Sequence, residues 1–158
     1  MHYQYAILQK RTLGGNNALM HAIRFRQEAV TVIWNMMQRL DNADYLVHML
    51  SATSFETLTV LMISAKSHGP TLCMLFKELQ ALAPRYYAKL FMQVSMMMHP
   101  NSDINGWNVL MYTVRYQPLL VSQCIHLINR ISAHEHLQQI WQHKNGSGYN
   151  ILMIALKY

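Results

Sequence analysis

The sequence predicts an all-α chain, a helical-repeat solenoid with about three helices per 42-residue unit, on three observations. An eight-residue phrase, Gly106-Trp107-Asn108-Val109-Leu110-Met111-Tyr112-Thr113, recurs in register as Gly15–Ala22 and Gly148–Ala155, and in worn form as Thr57–Ser64. The leucines of the repeated Leu-Met pair, Leu19, Leu61, Leu110 and Leu152, are spaced by 42, 49 and 42 residues. Such a period, with one seven-residue insertion, belongs to stacked helical repeats. Three later stretches also share the apolar offsets of one α-helical face.

Three amphipathic segments precede the phrase, His2–Lys10, Asn42–Ser51 and Ser132–His143, and a lengthened counterpart is expected over Pro84–Met98. These are termed class C; Pro84 suits the first turn of its helix. A polar or glycine-containing turn follows each: Thr12–Asn16, Ser51–Thr57, His99–Gly106 and Lys144–Gly148. The phrase then opens a class A helix, running to Phe25, Lys66, Tyr116 and Lys157. Asn17, Thr59, Asn108 and Asn150 stand where a side-chain oxygen can cap the helix N-terminus. Ala22, Ser64, Thr113 and Ala155 are small enough to admit a neighbouring helix. Class B helices begin near Val30, Leu72 and Val121. Apolar residues follow in step at Ile33, Leu75 and Cys124; Trp34, Phe76 and Ile125; Met37, Leu79 and Ile128. No stretch alternates with period two between hairpin turns, so essentially no sheet is expected.

The 158 residues suit one repeat domain, read as a segment of a longer protein because the phrase's last copy has no class B helix after it. Apolar residues make up 52% of the chain, yet none of their runs reaches the roughly 18–20 residues of a membrane span. No signal peptide opens the sequence. Cys73 and Cys124 lie in apolar helical stretches rather than a disulfide framework, which points to an intracellular, reducing compartment. Charged residues are 13%, and the formal charge is +6, so what charge there is is mostly basic. Thirteen methionines read as adaptable filling between helices, or as an adaptable binding surface.

The repeats resemble ankyrin repeats, whose phrase is Gly-x-Thr-Pro-Leu-His-x-Ala followed by a helix rich in Val, Ile and Leu. Gly15, Gly106 and Gly148 match the glycine; Asn17, Thr59, Asn108 and Asn150 occupy the threonine position. Leu19, Leu61, Leu110 and Leu152 match the leucine, and Ala22 and Ala155 the alanine. Met20, Met62, Met111 and Met153 replace the histidine, and Ala, Val, Val and Ile replace the proline. The period is 42 rather than about 33, a helix standing in place of the family's hairpin finger. Such divergent repeats are similar to those in effectors that intracellular bacteria inject into host cells, which implies action in host cytoplasm. An armadillo- or HEAT-like solenoid is the alternative at this period.

Catalytic constellations are scarce. No Gly-rich phosphate loop, Gly-x-Ser-x-Gly or His-Glu-x-x-His occurs. His134-Glu135-His136 sets its histidines two apart, which does not place them on one helix face. Only seven acidic residues are available to orient bases. No catalytic residue, metal site or cofactor is expected, and the protein is read as not an enzyme.

One repeat position stands out. Five residues past each anchor the chain has Arg24, Lys66, Arg115 and Lys157, and one further on Phe25, Ser67, Tyr116 and Tyr158. Stacked repeats would align these into a basic ladder flanked by rings. A cation in a helix's last turn also offsets the helix dipole, by about 0.3–1 kcal/mol, which requires no ligand. As a binding strip the ladder suits a partner protein with an acidic surface, or phosphate groups, with Trp107, Tyr112 and Tyr116 as ring contacts; packing against the preceding turn is the alternative for Trp107. Met96–Asn105, the inserted segment, is a second candidate. The expected role is therefore a non-catalytic protein-interaction scaffold. A module for nucleic acid or anionic lipid ranks second, on charge. A substrate-recruiting domain of a larger enzyme ranks third.

Overall fold

Every class A helix begins on the same local device. The computed structural model describes residues 2–40, 42–96 and 104–158. Asn17, Thr59, Asn108 and Asn150 each accept, through a side-chain oxygen, the backbone N–H three residues on, at 2.9, 3.3, 3.0 and 3.0 Å. That bond satisfies one of the N–H groups the first helical turn leaves without a partner.

Eleven α-helices and two short 3-10 turns are found among the described residues, and no strand. The order is α1 (His2–Gln9), α2 (Ala18–Phe25), a 3-10 turn over Gln27–Ala29, α3 (Val30–Gln38), α4 (Ala43–Ser51), α5 (Val60–Ser67) and α6 (Gly69–Ala81). Then follow α7 (Pro84–Met92), α8 (Val109–Tyr116), a 3-10 turn over Pro118–Leu120, α9 (Val121–Asn129), α10 (His134–Gln142) and α11 (Ile151–Lys157). Class A is α2, α5, α8 and α11; class B is α3, α6 and α9; class C is α1, α4, α7 and α10. Helices pack on counterparts of their own class: α2 on α5, α5 on α8, α8 on α11, α4 on α7, α7 on α10, and α6 on α9. The core is one continuous cluster, with Leu19, Leu61 and Leu110 at its centre and Leu75, Phe76, Cys124 and Leu127 from class B.

Two of the expected boundaries are corrected. The class C helix of the third copy is not lengthened to Met98: α7 ends at Met92, the same nine residues as α4 and α10. Gln93 turns to extended backbone, and its side chain donates to the Ser51 carbonyl at 2.9 Å. Val94 then pairs with Asn108 in an isolated bridge. Leaving the helix there lets Ser95 close the next turn. The insertion sits in that turn: Ser95 and Gly106 are eleven residues apart where Thr12–Gly15, Ser54–Thr57 and Asn145–Gly148 are three apart. Two fewer residues link α6 to α7 than α3 to α4, while α6 ends one residue later in the repeat than α3, which leaves the net insertion of seven. Of the segment Met96–Asn105, residues 97–103 lie outside those described. Class B begins earlier than expected in its second copy, at Gly69, because His68 caps it and Pro70 fits its first turn.

The four turns share one hydrogen-bond pattern. Thr12, Ser54, Ser95 and Asn145 each donate an N–H to the carbonyl just before the cap residue (Asn16, Leu58, Trp107, Tyr149), at 2.9–3.0 Å. Their carbonyls in turn accept from Gly15, Thr57, Gly106 and Gly148. That last residue must adopt positive φ: 76°, 76° and 80° for the glycines, and 54° for Thr57. A β-branched residue there costs on the order of 1–2 kcal/mol. The Thr57 hydroxyl bonds to the backbone of Met96, which offsets part of this cost. Consecutive turns also touch. Phe55 N–H donates to the Gly14 carbonyl at 3.1 Å, and Gly146 N–H to that of Asn105 at 2.8 Å. A Cβ on Gly15 or Gly106 would stand 2.9 Å from the next turn's backbone nitrogen, whereas one on Gly148 would meet nothing within 4 Å.

Candidate functional site

The class A helices end side by side, so their last-turn cations fall on one edge of the stack. Their surroundings differ. Arg24 forms an ion pair with Glu56 at 3.0 Å, Glu56 coming from the turn ahead of α5. Lys66 is exposed, and no carboxylate pairs with it among the described residues. Arg24, Phe25, Glu56, Ile63 and Lys66 line a shallow cleft of about 290 Å³.

Arg115 is held by rings instead. Its guanidinium carbon lies 4.1 Å from the ring centre of Tyr158, 5.0 Å from Tyr116 and 5.4 Å from Trp107. Each distance is within the reach of cation–π attraction. Among the described residues no carboxylate and no hydrogen bond claims its N–H groups, so its charge is supported without being neutralised. Lys157 lies 5.2 Å from the Tyr149 ring centre and 5.3 Å from that of Tyr158.

Trp107 and Tyr112 are corrected as surface contacts. Both are buried, at 1% and 0% exposure. Trp107 follows the turn and meets the Tyr158 ring in a T-shaped pair at 6.1 Å, and Tyr112 points to the α5 side of α8, where every counterpart past α2 is apolar and buried. They form the floor of the site: Trp107 meets Tyr112 edge-on at 5.6 Å, and Tyr112 stacks on Tyr116 at 6.1 Å and 21°. Tyr116, partly exposed, remains at the surface. Glu56 and Tyr149 join the site. Glu56 reaches Arg24 because a turn meets the helix end of the preceding copy, whereas Tyr149, at the repeat position of Trp107, meets Lys157 of its own copy.

The floor is poorly solvated. Burial pushes the Tyr112 phenol up to about 12; Tyr116 and Glu56 add to this, while Ser95 and Arg115 oppose it. The Ser95 hydroxyl already donates to the Ile104 carbonyl at 2.7 Å and accepts from Trp107 N–H at 3.1 Å. The Tyr112 hydroxyl and the Trp107 indole N–H are buried and have no well-formed hydrogen bond among the described residues. Tyr112 titrates far too high to act as a base near neutral pH.

The two cysteines lie in different surroundings. Burial pushes the Cys124 thiol up to about 12, with Thr113 opposing, and its side chain is inaccessible. Cys73 lies 3.8 Å from the Gln123 side-chain oxygen. No three His, Cys, Asp or Glu side chains among the described residues are grouped to hold a metal ion. No helix among them is long and apolar enough to cross a membrane. A groove of about 640 Å³ is lined by Met92, Asn108, Glu135, Gln139 and His143, among others, and contains none of the ladder's cations. No family model matches the chain, and no curated protein matches it either.

Proposed function

We propose that the protein is a non-catalytic binding scaffold, an ankyrin-like helical solenoid whose basic strip holds an acidic segment of a partner protein. One observation carries this reading. Lys66 and Arg115 share a repeat position on packed neighbours α5 and α8, and neither is paired with a carboxylate among the described residues. Dipole compensation explains a cation at a helix end, but not the ring enclosure around Arg115. Tyr116 and Tyr158 add amphipathic contact area beside the charge, the composition favoured at protein-binding hot spots. Trp107 and Tyr112 serve this site from beneath, by fixing Tyr116, Tyr158 and Arg115.

Titration with a labelled oligoglutamate peptide tests the reading. Binding is expected at low ionic strength and weakens as salt screens the charges. Lys66→Glu and Arg115→Glu each lower affinity by about tenfold or more, as for a lost charge-assisted contact. Undiminished binding by the double variant, with helicity intact, would overturn the strip. A nucleic-acid oligomer and anionic vesicles serve as parallel probes; preference for either would transfer the strip to that ligand class.

A further inference from the structure

The first and last class A helices expose opposite faces. Positions one before and two after the anchor face the preceding copy: Val60 and Ile63, Val109 and Tyr112, and Ile151 and Ile154 are buried, whereas Ala18 is only partly buried and His21 is exposed. The anchor and the positions one and four beyond it lie on the other side, at 100° per residue. They are buried in α2 and α5, and in α8 apart from partly buried Val114. In α11 they open outward, Leu152 at 70%, Met153 at 49% and Leu156 at 90% exposure. The apolar face of α11 is thus the one that seats the next class A helix at three internal junctions.

We propose that a second copy of this chain docks its α2 end on the exposed face of α11, continuing the class A stack from one molecule to the next. The two surfaces are complementary in size. Ala18 stands where the other copies have Val60, Val109 and Ile151, at a groove of about 390 Å³ whose apolar lining is Ile7, Ala18, Ala22, Ala29 and Ile33 and whose polar lining includes Lys10, Arg11, His21 and Arg26. Leu156 stands where they have Ile23, Ala65 and Val114, so the groove meets a larger side chain than two of the three.

The backbone of the junction also continues. By the register of Gly14 with Phe55 and Asn105 with Gly146, the Ser147 carbonyl accepts from Leu13 N–H of the second copy. Asn17 and Asn108 donate side-chain N–H groups to the Met49 and Ile140 carbonyls of the neighbouring class C helix, at 3.0 and 3.4 Å. In the same register Asn150 donates to the Ile7 carbonyl. The interface pairs two different surfaces, so it propagates as an open chain rather than closing as a dimer. Lys10 and Arg11 beside the groove and Lys157 beside Leu156 carry like charge, so added salt strengthens this association. An acidic ligand on the basic strip shows the reverse salt dependence.

Sedimentation velocity of the 158-residue chain over a concentration series, at low and high salt, tests the proposal. The expected result is species that grow with concentration, more so at high salt. Leu156→Arg and Ala18→Arg, both outside the core, each remain monomeric alone with unchanged helicity. Mixed, the two variants form one-to-one dimers and nothing larger, because each retains the surface the other lacks. A wild-type chain that stays monomeric throughout overturns the proposal. So does an Ala18→Arg variant that dimerises alone, which would place two α11 faces against each other. Failure here leaves the oligoglutamate result unaffected.

Discussion

Arg24 and Arg115 occupy the same repeat position, yet the molecule treats them in opposite ways. Arg24 meets a carboxylate, Glu56, supplied by the turn of the following copy. At Arg115 the corresponding turn supplies Ser147, and the space is taken by Tyr158, with Tyr116 and Trp107 as further supports. A repeat register fixes where a side chain emerges. Whether its charge is spent inside the molecule depends on a neighbour 32 residues away for Arg24 and 43 for Arg115. The Arg24 end of the strip is therefore partly neutralised, and the Arg115 end carries a charge that no carboxylate among the described residues pairs.

The largest expected effect comes from removing the floor at Arg115. Trp107→Ala deletes a buried ring that contacts Tyr112, Tyr158 and Arg115, and should lower unfolding stability by about 3–5 kcal/mol. Chemical denaturation measures this, and a loss under about 1 kcal/mol would mean that the ring is not packed as described. A variant that remains folded at low temperature should also bind oligoglutamate more weakly, through misplacement of Arg115.

A smaller effect separates the two ends by pH. The raised Tyr112 phenol favours the protonated form in the folded state, so its contribution is complete below pH 10 and is lost as pH rises towards 12. The loss is on the order of 2 kcal/mol. Tyr112→Phe should flatten stability against pH between about 10 and 12, while changing neutral-pH stability little because the hydroxyl has no well-formed partner. A steep alkaline limb that persists in Tyr112→Phe would assign it to other groups, Cys124 and Tyr87 first.

The smallest change in stability is expected from Glu56→Gln. This ion pair is partly solvated, with side-chain exposures of 23% and 49%, so its loss should cost within about 0.5 kcal/mol. Its effect on binding runs the other way. Arg24 is released, and oligoglutamate affinity should rise, making the two ends of the strip more alike. Unchanged affinity would show that Arg24 lies outside the binding surface.

Much of the helical framework was legible because it rests on local chemistry. Asn17, Thr59, Asn108 and Asn150 cap helices wherever they occur, since an N-cap needs only its own first turn. The apolar offsets of class B identified buried faces for the same reason, with Trp34, Phe76 and Ile128 all in the core. Local patterns could not place Met92 as the end of α7, because the stop is set by Ser95 pairing with Trp107 across the inserted turn. They also could not tell a surface ring from a floor: Tyr112 and Tyr116 are four residues apart on one helix, and only the neighbouring α5 and the Trp107 ring cover the first.

By itself, the sequence determined an all-helical chain, its caps, its glycine turns and the register of the four cations, since each follows from hydrogen bonds and periodicities spanning a few residues. Tertiary structure alone decided which cation is neutralised and which rings are covered. Those outcomes depend on contacts between copies, where one residue's burial or charge is set by another that no local pattern links to it.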